Sequence, residues 1–373
     1  MIVGVLQEPA FESRVSLLAE GAVTLIKKKV DVWVESGAGE RAFCRDEDYL
    51  QAGAQVRPRK EILDTADILL GIHVETIPDT LQSKIIIGVY QPLFHAMVMA
   101  SWAQRSLTCF SLDMLPRTTR AQSMDVLSSQ ANIAGYKAIL LAAGLFPHYF
   151  PLLMTAAGSI PPARVLILGA GVAGLQAIAT ARRLGAVVEV FDTRPAVKEE
   201  VLSLGGKFIE VEGAADASKA GGYAVEQTAD FLQKQQAKIA ESVAKADIVV
   251  TTAQIPGKKA PVLVTGTMID AMKAGSVIVD LAAATGGNTE LTKNNETIRY
   301  KGVTIVGNSA LPSGMPADAS KLYGKNVLNF LQLIIGKEGE LNLNFGDDLV
   351  KGSAMTHGGE VLHEGVQRLI KTG

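Results

Sequence analysis

Three glycines, Gly169, Gly171 and Gly174, stand in G-x-G-x-x-G spacing inside "VLILGAGVAGLQAIATARRLGAVVEVFDTR". An apolar run precedes them and a helical pattern follows, which is the context a phosphate-binding turn requires. The first glycine permits a tight turn, the second lets the backbone approach a pyrophosphate, and the third lets helix and strand pack closely. Val172 opens the helix, whose unpaired N–H groups and positive dipole end suit phosphate. Asp192 ends the next strand pattern, where a carboxylate accepts from both ribose hydroxyls and repels a 2′-phosphate. Arg194, two residues on, is a group that could serve such a phosphate. The acid nevertheless makes NAD(H), rather than NADP(H), the expected dinucleotide.

A second set lies upstream in "PRTTRAQSMD" (Pro116 to Asp125). Arg117, Gln122 and Asp125 supply a cation, a two-way amide and an acceptor, in a spacing that fits no metal site and no repeat. The residues alone leave two readings. They are a polar set that orients a ligand, or Arg117 and Asp125 form a surface ion pair while Ser123 or Asp125 caps the next helix. A third stretch, "VVTTAQIPGKKAP", ends a strand pattern on the edge where a dinucleotide lies. Ala253, Gln254, Pro256 and Gly257 are therefore candidates to flank it, with an ordinary turn as the alternative.

These groups need a scaffold, and the chain alternates accordingly. Strand patterns at "IVGVL", "VDVWVE", "ADILL", "KIIIGVY" and "LTCF" are interleaved with helical patterns. The alternation resumes with "RVLILG", "VVEVF", "ADIVVTTA", "SVIVDLA" and "VTIVG". This predicts an α/β protein of two Rossmann-like, open, mostly parallel sheets joined by long helices, with a cleft between the domains. The expected boundaries are 1–126, completed by 322–373, for the first domain and 127–321 for the nucleotide-binding one. The length of 373 residues suits two such cores.

Composition excludes several classes. The chain is 48% apolar with a net charge of −2, so it is globular and lacks the basic face that nucleic acid requires. Two cysteines, Cys44 and Cys109, build no disulfide framework and fit a reducing compartment. No basic segment followed by an apolar core opens the chain, so no secretory signal is expected. The most apolar window, Ala138 to Gly158, is broken by the prolines of "FPHYFP" and is expected to be a buried helix and turn. His357 and His363 lack the ligand pattern of zinc, and no metal is expected.

The stretches "PRTTRAQSMDVLSSQANIAGYKA", "TAAGSIPPARVLILGAGVAGLQAIATARRLGA", "LGGKFIEVE", "AGGYAVEQ", "TTAQIPGKKAPVL" and "ADASKLYGKNVLNFL" resemble the NAD(H)-binding component of proton-translocating nicotinamide nucleotide transhydrogenases. The likeness covers nearly the whole chain and is weakest in about the first hundred residues and the tail. It implies a homodimer, on the cytoplasmic or equivalent matrix side, held at the inner membrane by partner subunits. One partner is a membrane proton-channel component and another binds NADP(H). Together they exchange hydride between NADH and NADP⁺ while protons cross the membrane. It also implies that Arg117, Gln122 and Asp125, with Ser128, contact the nicotinamide and its ribose. Tyr223 would stand at the tip of a loop that closes over bound nucleotide.

That family is related to alanine dehydrogenase, the principal alternative, beside a non-catalytic NAD-binding sensor. The dehydrogenase uses a lysine, a histidine and an aspartate, and an ungapped reading puts Gly71, Val89 and Ala284 in their places. His73 and His95 lie near the first two, but no shift restores the carboxylate. Amino-acid oxidation needs general acid–base groups, whereas hydride passing between two nicotinamides moves no proton. Missing acid–base groups thus favour transhydrogenation, and a sensor has no need of the Arg117 set. Arg14 matches an arginine of both relatives, as support for the cleft or as part of a salt bridge.

Overall fold

The computed structural model describes residues 1–211 and 229–372. The chain forms two compact units, one from Met1–Gln130 with Pro312–Gly373 and the other from Ala131–Leu311. The helix Val126–Leu145 carries the chain from the first into the second, and the helix Pro316–Ile334 belongs wholly to the first.

The first unit is built on an eight-stranded sheet. Its order is Glu360–Val361, Ala354–His357, Thr108–Ser111, Ile85–Gly88, Ile68–Leu70, Ile2–Val5, Asp31–Glu35, Gln55–Arg57. The six strands from the N-terminal segment run parallel, and Ala354–His357 adds antiparallel at one edge. Parallel strands need cover on both faces, and their side chains alternate between two cores. Ile68, Leu70, Ile85 and Ile87 enter one core, while Leu69, Ile86 and Cys109 enter the other. The helix Pro316–Ile334 closes the first of these with Tyr323, Val327, Phe330 and Ile334, a helical spacing on one face.

The second unit repeats the design in seven strands. Their order is Lys207–Phe208, Val187–Phe191, Arg164–Leu168, Ile248–Thr251, Val277–Asp280, Val303–Val306, Thr297–Tyr300, with only the last antiparallel. Val165 and Ile167 face one core, and Leu166 and Leu168 the other. The mixed, parallel-dominated α/β class expected from the alternating patterns is what forms.

The apolar window resolves differently from its expectation. The helix ends at Leu145, Phe146 and Phe150 are buried, and an antiparallel hairpin follows, Leu153–Thr155 with Gly158–Ile160. Met154 is 74% exposed, so the end of the window is a surface hairpin rather than a buried turn. Pro147 and Pro151 explain the break, since proline cannot continue the helical hydrogen-bond ladder. Among the described residues, no helix is long and apolar enough to cross a membrane.

Candidate functional site

In the second unit, chain order reverses between the adjacent strands Arg164–Leu168 and Ile248–Thr251. Ligands of open α/β sheets bind beyond the carboxyl ends of strands at such a switch point. The loops leaving these two ends are Gly169–Gly171 and Thr252–Gly257, so the fold brings the first and third candidate sets to one edge. They are joined directly, because the Thr252 hydroxyl donates to the Gly169 carbonyl at 3.1 Å.

The three glycines stand under different constraints. Gly169 has φ +107°, and a Cβ there would lie 2.4 Å from Thr252 Oγ1. Gly174 lies in the helix Val172–Arg183, where a Cβ would stand 1.9 Å from the Gly169 carbonyl oxygen. Gly171 is different. Its φ of −76° suits any residue and its Cβ position faces open space. Nothing in the fold itself therefore calls for glycine at this position. Gly171 is also the N-cap and offers no side-chain cap to the first N–H groups of the helix. A pyrophosphate fits this donor set.

Asp192 is nearly buried, and its carboxylate is engaged on four sides. Oδ2 accepts from the Ala170 N–H at 2.7 Å and from an Arg194 Nη at 2.7 Å. Oδ1 accepts from the Arg194 backbone N–H at 2.8 Å and from its Nε at 2.9 Å. The carboxylate hydrogen bonds push the Arg194 pKa up. The acid that is expected to meet a ribose thus also ties the glycine turn to the next strand.

The third loop has a brace that sequence reading missed. Asn288 is fully buried. Its Nδ2 donates to the carbonyls of Ala253 and Pro261, each at 2.8 Å, and its Oδ1 accepts from the Ala253 N–H at 3.0 Å. The Asn288 amide N–H in turn donates to buried Asp280 at 2.7 Å. The signal for it is "GGN" after the strand Val277–Asp280, a few residues beyond Ala284. Gln254 and Pro256 are exposed at the loop surface, and Gln254 donates to the Leu281 carbonyl at 3.0 Å. Gly257 has φ +67°, which a glycine tolerates without strain. Tyr223 lies outside the described residues.

The second candidate set lies in the first unit. Thr119–Met124 is one short 3-10 stretch fixed by buried Ala121 and Met124, while Arg117 and Gln122 are exposed. Asp125 does cap the helix: its Oδ1 accepts from the Ser128 N–H at 2.9 Å, and its Oδ2 from the Ser128 hydroxyl at 2.6 Å. Capping keeps Asp125 and Ser128 together and half-buried beside two outward-facing polar side chains.

The sheet of the first unit has its own switch point, between Ile2–Val5 and Ile68–Leu70. A closed polar cluster fills it. Arg14 pairs with Glu12 through Nε at 2.9 Å and Nη2 at 2.6 Å, and donates to Gln130 at 2.8 Å. His73 Nε2 lies 2.7 Å from Glu12. Burial alone raises the Glu12 pKa, but hydrogen bonds from Arg14 and His73 and the Arg14 charge hold it far below the usual carboxylate range. Glu8, accepting from the Ile72 N–H and the Thr76 hydroxyl, is pushed up by burial. A Cβ on Gly71 would meet Thr76 Cγ2 at 3.0 Å, so a lysine there requires Thr76 to move. His95 stands at the N-cap of Ala96–Gln104 without a side-chain cap bond, and Ala284 is exposed.

The chain matches two family models, "Alanine dehydrogenase/PNT, N-terminal domain" over residues 4–134 and "Alanine dehydrogenase/PNT, C-terminal domain" over residues 138–364. It is 41% identical to the first-part chain of NAD(P) transhydrogenase subunit alpha from Rickettsia prowazekii, covering 97% of this chain and 96% of that protein. It is 42% identical to the protein of the same name from Rhodospirillum rubrum, covering 94% and 95%. The solved transhydrogenase of Sinorhizobium meliloti superposes with a TM-score of 0.88 at 44% identity, covering 97% of this chain and all of that one. The alanine dehydrogenase of Methanococcus maripaludis is more distant, 26% identical over 99% of this chain and 96% of that protein. The chain belongs to the alanine dehydrogenase/PNT family, within it to the NAD(P) transhydrogenase alpha subunits.

Proposed function

We propose that the chain binds NAD(H) in the second unit and passes hydride between NADH and NADP⁺ held on a partner component. Gly169, Gly171 and Gly174 shape the pyrophosphate turn, with the N–H groups at Val172 as donors. Asp192 meets the ribose, and Ala253, Gln254, Pro256 and Gly257 flank the dinucleotide. Arg117, Gln122, Asp125 and Ser128 orient the nicotinamide. The observation that carries this reading is the outward presentation of Arg117 and Gln122 on a loop pinned by buried Ala121 and Met124. A ring that must meet a second ring on another protein needs a rigid, exposed polar mount, not a deep pocket.

The cofactor supplies the chemistry, a hydrogen leaving one nicotinamide carbon for another with the electron pair of its C–H bond, and the protein supplies placement. Donor and acceptor carbons must stand roughly 3–3.5 Å apart. No proton moves in that step, so no general base is needed. The relatives' names, which make each of them the first piece of a divided alpha subunit, imply further subunits. We assign these as an NADP(H)-binding component and a membrane component that moves protons, with this chain as a homodimer on their cytoplasmic or matrix-equivalent side.

The test is reconstitution. Purified chain is mixed with an NADP(H)-binding component of a transhydrogenase, and hydride transfer from NADH to an optically distinct NADP⁺ analogue is followed by stopped flow. A rapid burst that needs both proteins is expected. NADH binding without transfer to a competent partner overturns the reading. Alanine-dependent NAD⁺ reduction by the chain alone would replace it with the dehydrogenase reading.

A further inference from the structure

The motif "ADASKLYGKNVLNFL" has no place in the dinucleotide site itself. It forms most of the helix Pro316–Ile334 in the first unit. Much of that helix is explained by packing, because Tyr323, Val327, Phe330 and Ile334 are buried. Its two asparagines are not. Asn326 is buried and Asn329 half-buried, on adjacent turns of one face. An asparagine inside a helix is a poor helix former, since its side chain competes for backbone partners. Two of them, three apart, ask for a reason.

Both aim at one atom. Asn326 Nδ2 donates to the Ser123 carbonyl at 2.8 Å, and Asn329 Nδ2 donates to the same carbonyl at 2.8 Å. A carbonyl oxygen has two lone pairs, so the pair saturates it and fixes the peptide plane against rotation. Asn326 is itself held, because its Oδ1 accepts from the Ser129 hydroxyl at 2.7 Å. Ser123 is exposed and immediately follows Gln122. Its carbonyl therefore lies one residue past the exposed amide that the proposed function assigns to the nicotinamide, while buried Ala121 holds the chain on the other side.

We propose that Asn326 and Asn329 are positioning residues for hydride transfer, setting the orientation of Gln122 through the Ser123 carbonyl. This rests on the reading of Gln122 as a nicotinamide contact. Neither asparagine touches the cofactor in this proposal. Their effect falls on alignment in the transfer step and spares the binding of NADH, most of whose contacts lie in the second unit. The helix thus has two tasks, an apolar face for the core and an amide pair for the loop.

The test compares Asn326→Asp, Asn329→Ala and the double variant with Gln122→Asn, each as the full chain. NADH affinity is read by fluorescence titration, stability by thermal melting, and single-turnover hydride transfer with an NADP(H)-binding component by stopped flow. Asn326→Asp keeps the acceptor for Ser129 but replaces the donor by an oxygen facing an oxygen. Displacement of a reacting group by about 1 Å costs on the order of 100-fold in rate. The expected result is a loss of about that size in transfer for the double variant, with NADH affinity within about threefold of the parent. Asn329→Ala, at a half-buried position, keeps the test open should the double variant misfold, and is expected to show a smaller loss of the same kind. If transfer slows in Gln122→Asn but falls no further than affinity does in the asparagine variants, the positioning role is wrong and the Gln122 reading stands. If Gln122→Asn transfers at the parent rate, the Gln122 reading fails and the inference falls with it.

Discussion

Asp192 and Arg194 grip each other through both carboxylate oxygens, Nε to Oδ1 at 2.9 Å and Nη2 to Oδ2 at 2.7 Å. A carboxylate has about four lone-pair sites, and this one also accepts from the Ala170 and Arg194 backbone N–H groups. In the proposed site, ribose hydroxyls compete with these donors, and of them the Arg194 guanidinium alone belongs to a side chain. The proposed site therefore ties nucleotide choice to this ion pair. Asp192→Ala removes the ribose acceptor and releases a guanidinium beside the place a 2′-phosphate would occupy. NADH affinity should fall by about 10- to 100-fold, since hydrogen bonds to a charged group are worth about 1.5–3 kcal/mol. NADPH affinity should rise. Titrating both nucleotides into the variant tests this, and unchanged selectivity would show that the acid does not meet the ribose. Arg194→Ala in the same background should abolish the gain for NADPH.

Gly171 and Gly174 separate ligand approach from packing. Gly171→Ala places a methyl in open space at a φ of −76°, so the melting temperature should hold or rise slightly. Such glycine replacements at compatible angles stabilise by about 0.4–1 kcal/mol through the unfolded chain. NADH affinity should nevertheless drop at least about tenfold, the loss expected when roughly 1.4 kcal/mol of pyrophosphate contact goes. Gly174→Ala drives a methyl toward the Gly169 carbonyl and should lower stability by about 1–3 kcal/mol or more. Calorimetry with and without NADH distinguishes the two. A destabilised Gly171→Ala would mean that this glycine serves the fold.

Much of this architecture was legible because its signals are local. Apolar runs in the strands, the glycine spacing and Asp192 lie within short windows, and parallel sheets covered on both faces demand such runs. What could not be read depends on partners distant in sequence. Nothing near "KNVLNFL" announces that Asn326 and Asn329 share the carbonyl of Ser123, some two hundred residues away. Asn288 likewise braces Ala253 from 35 residues downstream. Arg14 left open whether it supported the cleft or formed a salt bridge, because its partner Glu12 is two residues away but is also held by His73 from another strand end. The apolar window misled for the opposite reason: its composition was local, and the exposure of Met154 was not.

Asn288 should matter to the loop more than to the sheet. Asn288→Asp keeps the acceptor for the Ala253 N–H but loses both donors, leaving the Ala253 and Pro261 carbonyls against a carboxylate. A buried group deprived of its hydrogen bond costs about 1–3 kcal/mol, more with charge. The expected outcome is a lower melting temperature and weaker NADH binding, with stability partly restored in mild acid as the new carboxyl takes up a proton. A variant that melts lower but binds NADH at the parent affinity would confine Asn288 to a structural role.

Glu12 gives the first unit a specific response to pH. Its folded-state pKa is depressed, chiefly by Arg14 and His73 working against the cost of burial. A depressed carboxyl contributes stability above its unfolded pKa, near 4.5, and loses it only as pH falls toward the folded value. Glu8 runs the other way: burial raises its pKa, so its protonated form is favoured by folding and its contribution fades as pH rises past the unfolded value. Breaking a buried ion pair by removing one partner costs about 3–5 kcal/mol. Glu12→Gln should therefore melt well below the parent at neutral pH, leaving Arg14 buried without its carboxylate. The gap should persist unchanged down to about pH 5 and narrow only in stronger acid, where Glu12 of the unfolded chain takes up a proton and the native carboxylate does not. Melting curves of parent and variant from neutral pH into acid measure that gap. A gap absent at neutral pH would mean that the Arg14–Glu12 pair contributes nothing net to the fold.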